Sequence, residues 1–400
     1  MNIHLNRLII LAALLSASTL LSTAQAGQPE LAGPSEGSCT TTGVVEPSRI
    51  AGYCVVDGVK KAWYQSSFPT VLINLKPLPN HVSCDSGFLS FHLITGTCDP
   101  QPGSAQSKVP VFWPVVSPQG DPLPFEPLAR DTSSEVLAST LFGNVAGQSN
   151  GPSGGTAVVW FLAKKGEPQQ VSTRNDNCRI AAISDSGVDS TTLVALNCPN
   201  ASGTSTANVA TFNGTDYSMK ALKLPATASY CEAKGINGQH QVAGTCHYAD
   251  NTTAATFWSG FAGEPKVLPS VESFSTEALF LNGLGNMVAN VVTPAKKLPL
   301  FWPASAAQAQ QVPMPTRFDF CQANAFAQSA DTLLMTCAAN DLTVPVTVFT
   351  WSPGATAHAI QPAPGADAYR GMAISTSASE AVGHFKPAPN VIRAFISHLP

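Results

Sequence analysis

The sequence predicts an all-β protein, an eight-bladed β-propeller closed by its N-terminal segment, from three observations. A pair of strand-like segments recurs along the chain at a spacing of about 44–52 residues, the length of one four-stranded blade. Ten cysteines fall at matching places in that repeat. The 400 residues also include 30 glycines and 32 prolines, so turns are frequent and long helices are not expected.

The repeats predict one domain that follows a short N-terminal signal. Residues 1–26 form the predicted signal peptide and residues 27–400 a single propeller domain. The predicted blades, called repeats 1 to 8, cover about 37–80, 81–128, 129–173, 174–226, 227–270, 271–315, 316–363 and 364–400, the last together with 27–36.

Two neighbouring strands of each repeat can be recognised by their residues. The second strand reads IAGYC at 50–54, ITGTC at 94–98, NVAGQS at 144–149, LVALNC at 193–198, QVAGTC at 241–246, MVANVV at 287–292, LLMTC at 333–337 and AVGHF at 381–385. The third strand reads AWY at 62–64, VFW at 111–113, VVWF at 158–161, ATF at 210–212, TFW at 256–258, LFW at 300–302, VFTW at 348–351 and AFI at 394–396. Both segments keep one register through all eight repeats.

The end of the chain lacks one strand. Repeat 8 stops at its third strand, AFISHLP, so we expect the segment around Gln28 to Pro34 to supply the fourth. This exchange closes the ring and removes two exposed sheet edges. An open β-solenoid of similar repeats would need polar caps at both ends, and the sequence shows none.

The cysteines predict five disulfides, since in each pair one cysteine starts a first strand and the other ends the second. The pairs are Cys39–Cys54, Cys84–Cys98, Cys178–Cys198, Cys231–Cys246 and Cys321–Cys337. Repeats 3, 6 and 8 lack both members rather than one, as covalent pairing requires. A metal cluster would need closely spaced cysteines such as CxxC, which do not occur.

The first 26 residues have the layout of a secretory signal peptide. Arg7 precedes an unbroken apolar run from Leu8 to Leu15, and Ala24-Gln25-Ala26 supplies a cleavage site after Ala26. A membrane anchor would need about 20 apolar residues, and the serines and threonines from Ser16 onwards interrupt the run too early. We therefore expect a periplasmic or secreted protein, in a compartment where disulfides form.

Charge argues against a nucleic-acid partner. The formal net charge is −4, and charged residues make up 12% of the chain, about half the usual share. The sequence has no basic patch and no phosphate-cradling loop, and we expect no cofactor and no metal.

The unit at residues 235–258, GINGQHQVAGTC followed by ATFW, resembles the HAF-type extracellular repeat of bacterial secreted proteins. That group carries a motif of the form GIN-x-x-G-x-V-V-G and then an AF-x-W strand. The resemblance implies a secreted, propeller-like fold. It implies no activity and no site, because the group is defined by its architecture.

Catalytic motifs are sparse. Gly147-Gln148-Ser149-Asn150-Gly151 matches the GxSxG string of α/β-hydrolases, but the segment that follows is a loop and a strand rather than a helix. Ser149 also stands where other repeats carry their second cysteine. His247 and His384 occupy nearly equivalent places three repeats apart, which argues against a shared metal.

Binding is predicted on the rim that carries the disulfides. If strands alternate in direction, the variable loops that join second to third strands lie on that rim. Candidate contact residues in these loops are Lys60, Lys61, Tyr248, Asp250, Lys296, Lys297 and Asp341.

Three functions remain open at this stage, and the third is a purely structural surface protein without a tight partner. The first is a non-enzymatic scaffold that binds a protein, for example an inhibitor or immunity protein against a secreted or envelope-directed enzyme. The second is a carbohydrate-active enzyme, a glycoside hydrolase or lyase, with its site at the channel mouth and a glycan as its partner. Loops held by disulfides favour the protein-binding scaffold. The carbohydrate-active enzyme stays open because loops from eight repeats meet at the channel mouth and could bring catalytic carboxylates together there.

Overall fold

The computed structural model describes residues 29–399, except 68–69, 105–106, 165, 187–190, 269–273, 294–296, 361–367 and 389–390. The predicted signal peptide lies outside the described residues. Within them the chain forms thirty-two strands and one short 3₁₀-helix, Leu162–Lys164. None of the described helices is long and apolar enough to cross a bilayer.

The strands follow the predicted repeats. The first is β1 (Glu30–Ala32). Repeat 1 contains β2 (Ser38–Val45), β3 (Arg49–Val56), β4 (Val59–Ser67) and β5 (Thr70–Asn74). Repeat 2 contains β6 (His81–Leu89), β7 (Leu93–Pro100), β8 (Val109–Pro114) and β9 (Leu123–Pro124). Repeat 3 contains β10 (Ser133–Ser139), β11 (Val145–Gly151), β12 (Gly154–Trp160) and β13 (Pro168–Gln170). Repeat 4 contains β14 (Arg179–Asp185), β15 (Thr192–Pro199), β16 (Ser205–Phe212) and β17 (Tyr217–Ala221).

The second half of the chain repeats the pattern. Repeat 5 contains β18 (Ala228–Ile236), β19 (Val242–Tyr248), β20 (Thr253–Trp258) and β21 (Pro265–Val267). Repeat 6 contains β22 (Ser275–Leu281), β23 (Met287–Val292), β24 (Lys297–Trp302) and β25 (Gln310–Gln311). Repeat 7 contains β26 (Phe320–Phe326), β27 (Leu333–Ala338), β28 (Thr347–Trp351) and β29 (His358–Ala359). Repeat 8 contains β30 (Tyr369–Ile374), β31 (Glu380–Ala388) and β32 (Val391–His398).

The described strands pair into seven hydrogen-bonded sheets. Six sheets have four strands, and the seventh has eight, from repeats 4 and 5. Within that larger sheet, two antiparallel groups are joined through one parallel bridge between Thr206 and Cys231. Strand β1 pairs antiparallel with β32 and takes the fourth place in the last sheet, the position assigned to the N-terminal segment from the sequence.

The first strands lie closest to the common axis, and the core lies between neighbouring sheets. Strand β14 contacts β10 on one side and β18 on the other, and β2 contacts both β6 and β30. Each hydrophobic cluster combines side chains from successive repeats. In one of them Leu93 and Phe112 of repeat 2 pack with Val145, Val158 and Trp160 of repeat 3.

The glycine of the second strand is explained by the aromatic residue of the third. A Cβ on Gly96 would lie 2.1 Å from the carbonyl oxygen of Asp85 and 2.7 Å from the Trp113 ring. Gly244 stands in the same position between Glu232 and Trp258. Repeats 1, 2, 3, 5 and 8 keep this glycine beneath the aromatic ring, whereas repeats 6 and 7 carry Ala289 and Met335 there.

All five predicted disulfides are present, each with its Cα atoms 4.0 Å apart. The described cysteines include no free thiol. In repeats without cysteines, other side chains occupy the same register. Ser134 stands opposite Ser149 in repeat 3, and the rings of Tyr369 and Phe385 stack in repeat 8.

A polar side chain just before the second cysteine position ties most repeats to the next one. Its partner is on the first strand of the following repeat. The bonds are Gln148 Nε2 to Cys178 O (3.0 Å), Asn197 Nδ2 to Ala233 O (3.0 Å) with Ala233 N to Asn197 Oδ1 (2.7 Å), Ala278 N to Thr245 Oγ1 (3.1 Å), Gly371 N to Thr336 Oγ1 (3.2 Å), and Thr40 Oγ1 with His384 Nδ1 (3.0 Å). In all but the contact between Thr40 and His384, the polar group satisfies a backbone atom between sheets.

Candidate functional site

The disulfides and the loops between second and third strands share one face of the ring, called the disulfide face. Cys54 lies near the end of β3, which is followed by the turn at Asp57 and Gly58, and Cys198 lies near the end of β15, which is followed by the loop at 200–204. A disulfide at the base of a loop limits the conformations that the loop can adopt.

Lys60 and Lys61 lie at the start of β4, and Lys60 has close partners. Its Nζ atom is 2.7 Å from Asp85 Oδ2 on the next repeat and lies over the Tyr53 ring. The hydrogen bond to Asp85 raises the pKa of Lys60. Lys61 is exposed. Lys60 thus links repeat 1 to repeat 2 and helps to hold the two sheets together.

Asp250 and Asp341 each close their own loop. Asp250 Oδ1 accepts bonds from the backbone nitrogen (3.0 Å) and hydroxyl (2.6 Å) of Thr252. Asp341 does the same with Thr343, at 2.9 and 2.7 Å. These bonds lower the pKa of both carboxyl groups. Both aspartates therefore stabilise turns of the disulfide face.

The remaining predicted contact residues give a mixed picture. Tyr248 ends β19 and burial raises its pKa. Lys296 lies outside the described residues, and Lys297 begins β24. In the part of the chain that the structure describes, no hydrogen bond or ion pair joins Lys60, Asp250 and Asp341, which belong to repeats 1, 5 and 7. Whether these residues contact a partner stays a prediction.

Ser149 has none of the surroundings of a hydrolase nucleophile. Its side chain is buried, accepts a bond from Leu128 N (2.8 Å) and donates to Asp131 Oδ2 (2.6 Å). Asp131 is in turn paired with Arg174 at 2.6 Å. No histidine takes part in these contacts, so Ser149 connects β11 to the segment before β10.

The two histidines also have structural neighbours, and the strand register shows that they are not equivalent. His384 lies one residue before the second-cysteine position, whereas His247 lies one residue after it. His384 contacts Thr40, and burial, together with the charge of Arg370, lowers its pKa. The ring of His247 stacks on Tyr230 with centroids 4.3 Å apart. Among the described residues, no three His, Cys, Asp or Glu side chains gather closely enough to bind a metal.

A cavity of about 580 Å³ opens on the disulfide face between repeats 4 and 5, called the disulfide-face cavity. The loop around Gly203 to Ser205 forms one wall, and Arg179, Asn197, Glu232 and Lys234 contribute polar groups. Arg179 lies 3.5 Å from Glu135, and Lys234 lies 3.1 Å from Glu232. The volume is within the roughly 300–1,000 Å³ of small-molecule sites.

The sequence analysis missed these polar groups, although a signal was present. Arg179 and Glu232 each directly follow the first cysteine of a pair, as Cys178-Arg179 and Cys231-Glu232. Because side chains alternate along a strand, a residue next to a buried cysteine points to the other face of the sheet. Comparing the residue that follows the first cysteine position across the repeats would have identified Arg179 and Glu232 as charged residues on one face.

Comparison with protein-family models and with curated proteins gives no match. Among solved structures, the Dos1 propeller matches over 93% of this chain and 94% of its own, with 9% identity and a TM-score of 0.55. The β-propeller domain of the Trilobed protease from Pyrococcus furiosus, with an open velcro topology, matches over 77% and 92%, with 9% identity and a TM-score of 0.51.

A prolyl endopeptidase matches over 90% of this chain at 11% identity and a TM-score of 0.55, and the chain spans about half of that protein, 54%. At such identities the similarity shows the fold alone. Together with the antiparallel sheets, it shows that the chain is a β-propeller stapled by five disulfides.

Proposed function

We propose that this protein is a non-enzymatic, periplasmic or secreted scaffold that binds a protein partner through its disulfide face. The observation that carries the proposal is the disulfide-face cavity, which is bordered by a stapled loop and lined by charges of both signs. A concrete form is an inhibitor or immunity protein that blocks a secreted or envelope-directed enzyme.

Rigid loops support a role in binding rather than in turnover. Disulfides and aspartate-closed turns hold the loops of this face in place before a partner arrives, so less conformational entropy is lost on association. By contrast, Ser149 and His384 are engaged in contacts within the scaffold. Exposed Arg179 and half-exposed Glu232 remain at the cavity rim, where interface residues of protein complexes are polar.

We further propose that each repeat is one blade, which makes eight. The larger sheet then counts as two blades, since among the described strands one bridge, between Thr206 and Cys231, is the only strand pairing between repeats 4 and 5. Secretion after cleavage at Ala26, and the bacterial HAF-type relationship, remain part of the same proposal. Five disulfides fit an oxidising compartment.

Affinity capture with matched variants tests the binding function. The mature, oxidised protein is immobilised and exposed to secreted and envelope fractions of its source, and captured proteins are identified by mass spectrometry. One stoichiometric partner is expected. The double substitution Arg179→Ala with Glu232→Ala is expected to abolish its retention in a moderate salt wash.

The control removes two charges of opposite sign from the same two repeats, away from the cavity. Lys223 and Glu264 are paired outside the cavity, and their double substitution to alanine is expected to leave capture intact. Capture that survives the cavity substitutions, or no stoichiometric partner at all, would contradict the proposal.

A carbohydrate-active enzyme is the second candidate, and one observation favours it. Glu232 and Glu277, on neighbouring first strands, line a smaller cavity of about 290 Å³ together with His247. Paired carboxylates catalyse glycoside hydrolysis. If this function holds, turnover on a glycan panel will fall by at least about a hundredfold in Glu232→Gln and in Glu277→Gln. A panel without turnover leaves the binding function as the sole candidate.

A further inference from the structure

Neighbouring turns are hydrogen-bonded to each other on the face of the ring opposite the disulfides, called the turn face. This face is formed by the turns that join first to second strands. The bonds include Phe91 N to Leu141 O (2.9 Å), Asn144 Nδ2 to Asp185 Oδ1 (2.8 Å) and Ser329 N to Thr376 O (2.9 Å). They connect repeat 2 to 3, repeat 3 to 4 and repeat 7 to 8, and they restrict the movement of the turns around the mouth of the central channel.

A separate cavity of about 580 Å³, called the axial cavity, opens at this mouth. Its wall consists of the first strands of repeats 1 to 6 and of turn residues such as Leu141, Phe142 and Thr376. The extra residues of four β-bulges also line it, namely Leu137, Ala181, Lys234 and Leu279. Because the first strands lie closest to the axis, the cavity follows the central channel. Its volume is within the range of small-molecule sites.

The mouth of the axial cavity is apolar and aromatic. Phe142 lies in the turn after β10 and is 59% exposed, and its ring contacts that of Phe91 with centroids 6.0 Å apart. Leu137 and Leu141 line the wall beside it. An exposed aromatic ring at the edge of a concave site can hold an apolar group, and its face also attracts organic cations.

Two charged residues line the axial cavity, and one of them is neutralised within the chain. Lys234 Nζ lies 3.1 Å from Glu232 Oε2. Lys234 also lines the disulfide-face cavity, so it stands at the far end of the axial cavity from the turn face. Its ion pair leaves little positive charge for a molecule bound near the mouth.

Asp185, the second charged residue, has no charged partner. It ends β14 and therefore lies at the turn face. Oδ1 accepts bonds from the uncharged groups Asn144 Nδ2 (2.8 Å) and Thr192 Oγ1 (3.4 Å), and Oδ2 is buried without a hydrogen-bond partner. Among the described residues, no Lys, Arg or His forms an ion pair with it. The negative charge of Asp185 is thus the unneutralised charge of the cavity wall, and it is costly to keep there without a cation.

We propose that the axial cavity binds a small amphipathic cation, an organic ammonium with an apolar body. The ammonium lies beside the Asp185 carboxylate, and the body packs against Leu137, Leu141 and Phe142. Since Oδ2 is shielded, the carboxylate acts through its charge rather than by accepting a hydrogen bond, as suits a quaternary ammonium. The attraction is stronger than in water, because the surrounding apolar wall lowers the local dielectric constant.

Titration calorimetry of the mature, oxidised protein tests the ligand class with three probes that share an octyl chain. Octyltrimethylammonium is expected to bind with 1:1 stoichiometry, and octanol and octanoate at least about tenfold more weakly. Tetramethylammonium has the charge without the apolar body and is expected to bind at least about tenfold more weakly as well. Octanoate binding of equal strength, several sites per chain, or no binding of octyltrimethylammonium at millimolar concentration would overturn the proposal.

A charge variant with a matched control locates the ammonium. Asp185→Asn removes the charge, keeps the size of the side chain and is expected to weaken octyltrimethylammonium binding about tenfold. Asp121→Asn changes the net charge by the same amount, but Asp121 is exposed and paired with Lys76 outside the cavity. The control is expected to bind within about twofold of the parent.

A second pair of variants locates the apolar body. Phe142→Ala leaves the charges in place and is expected to weaken binding about fivefold. Leu342→Ala is its control, since Leu342 is 96% exposed in a loop of the disulfide face.

Thermal melts establish that each variant is folded. Unchanged binding in both Asp185→Asn and Phe142→Ala would refute the site, and an equal loss in Asp121→Asn and Asp185→Asn would mean that only the net charge attracts the probe. Asp185 and Phe142 do not line the disulfide-face cavity, so both variants are expected to capture a protein partner as the parent does. A failure of this site is therefore distinguishable from a failure of the protein-binding function.

Discussion

Gly244 links the sequence repeat to the geometry of the ring at the scale of a single residue. The third-strand Trp258 lies over its backbone, and the Trp258 indole nitrogen donates to Lys223 O in the preceding repeat, at 2.8 Å. Trp113 and Trp160 make the same bond to Lys76 O and Glu126 O. In these three repeats the indole therefore lies close over a glycine, and its nitrogen binds the neighbouring sheet.

Substitution of this glycine is expected to destabilise the protein. A Cβ at residue 244 would lie 2.3 Å from Glu232 O, so Gly244→Ala forces the first strand or the indole to move and lowers the free energy of unfolding by about 1–3 kcal/mol. Gly260→Ala, in the same repeat, has nothing within 4 Å and is expected to change it by less than about 0.5 kcal/mol. Urea unfolding of both variants measures the difference, and equal effects would contradict the packing argument.

At the scale of elements, the contact between repeat 8 and repeat 1 differs from the others. It combines the pairing of β1 with side-chain bonds between the two repeats, and repeat 8 has no disulfide. These bonds include Thr40 Oγ1 with His384 Nδ1 (3.0 Å), Ser48 N to Glu380 Oε1 (3.0 Å) and Ser377 N to Glu46 Oε1 (2.9 Å). Ala32 of β1 is buried against Trp63 and Ile396, whereas Leu31 beside it is 68% exposed.

Two neighbouring residues of β1, one buried and one exposed, allow a test of whether this strand holds the ring closed. Ala32→Asp places a charge in that buried cluster and is expected to lower the melting temperature by several degrees and to expose β32 to proteolysis. Leu31→Asp adds the same charge on the exposed side of the same strand and is expected to have little effect. Similar melting temperatures for the two variants would show that β1 does not hold the ring closed.

The lowered pKa of His384 predicts that the stability of the contact between repeats 8 and 1 depends on pH. Burial holds its pKa below the value of about 6.5 that a histidine has in the unfolded chain. Below that pH the unfolded state binds a proton that the folded state binds poorly, so stability present at neutral pH is lost as pH falls. The loss of unfolding free energy between pH 7.5 and 5.5 is expected to be smaller in His384→Gln than in the parent. An equal loss in both proteins would exclude His384 as the cause.

For the molecule as a whole, features that recur in every repeat could be predicted from the sequence, whereas local departures from the repeat, such as β-bulges, could not. The cysteine pairs and β1 follow from a register that every repeat shares. The position of Lys234 in the channel depends on a bulge, which no residue type marks. The Asp-x-Thr turns at Asp250 and Asp341 could have been recognised in the sequence, and contact of these two aspartates with a partner stays a prediction.

Reduction is expected to affect the ring unevenly. With the disulfides reduced, amide hydrogen exchange is expected to accelerate in the disulfide-face loops of repeats 1, 2, 4, 5 and 7 and to change little at residues 152–153 of repeat 3, which has no disulfide. Mass-spectrometric exchange of oxidised and reduced protein checks this. A uniform acceleration would mean that the disulfides stabilise the ring as one unit.

The pairing of β1 with β32 has a consequence for synthesis. A ribosome delivers the first of these strands before any of the repeats and the second after nearly all of them, yet Ala32 pairs with Ala394. Such a long-range contact is costly to form early, because the intervening chain must already be ordered. We therefore expect the N-terminal strand to stay unpaired while the repeats fold, and the ring to close as the last step of folding.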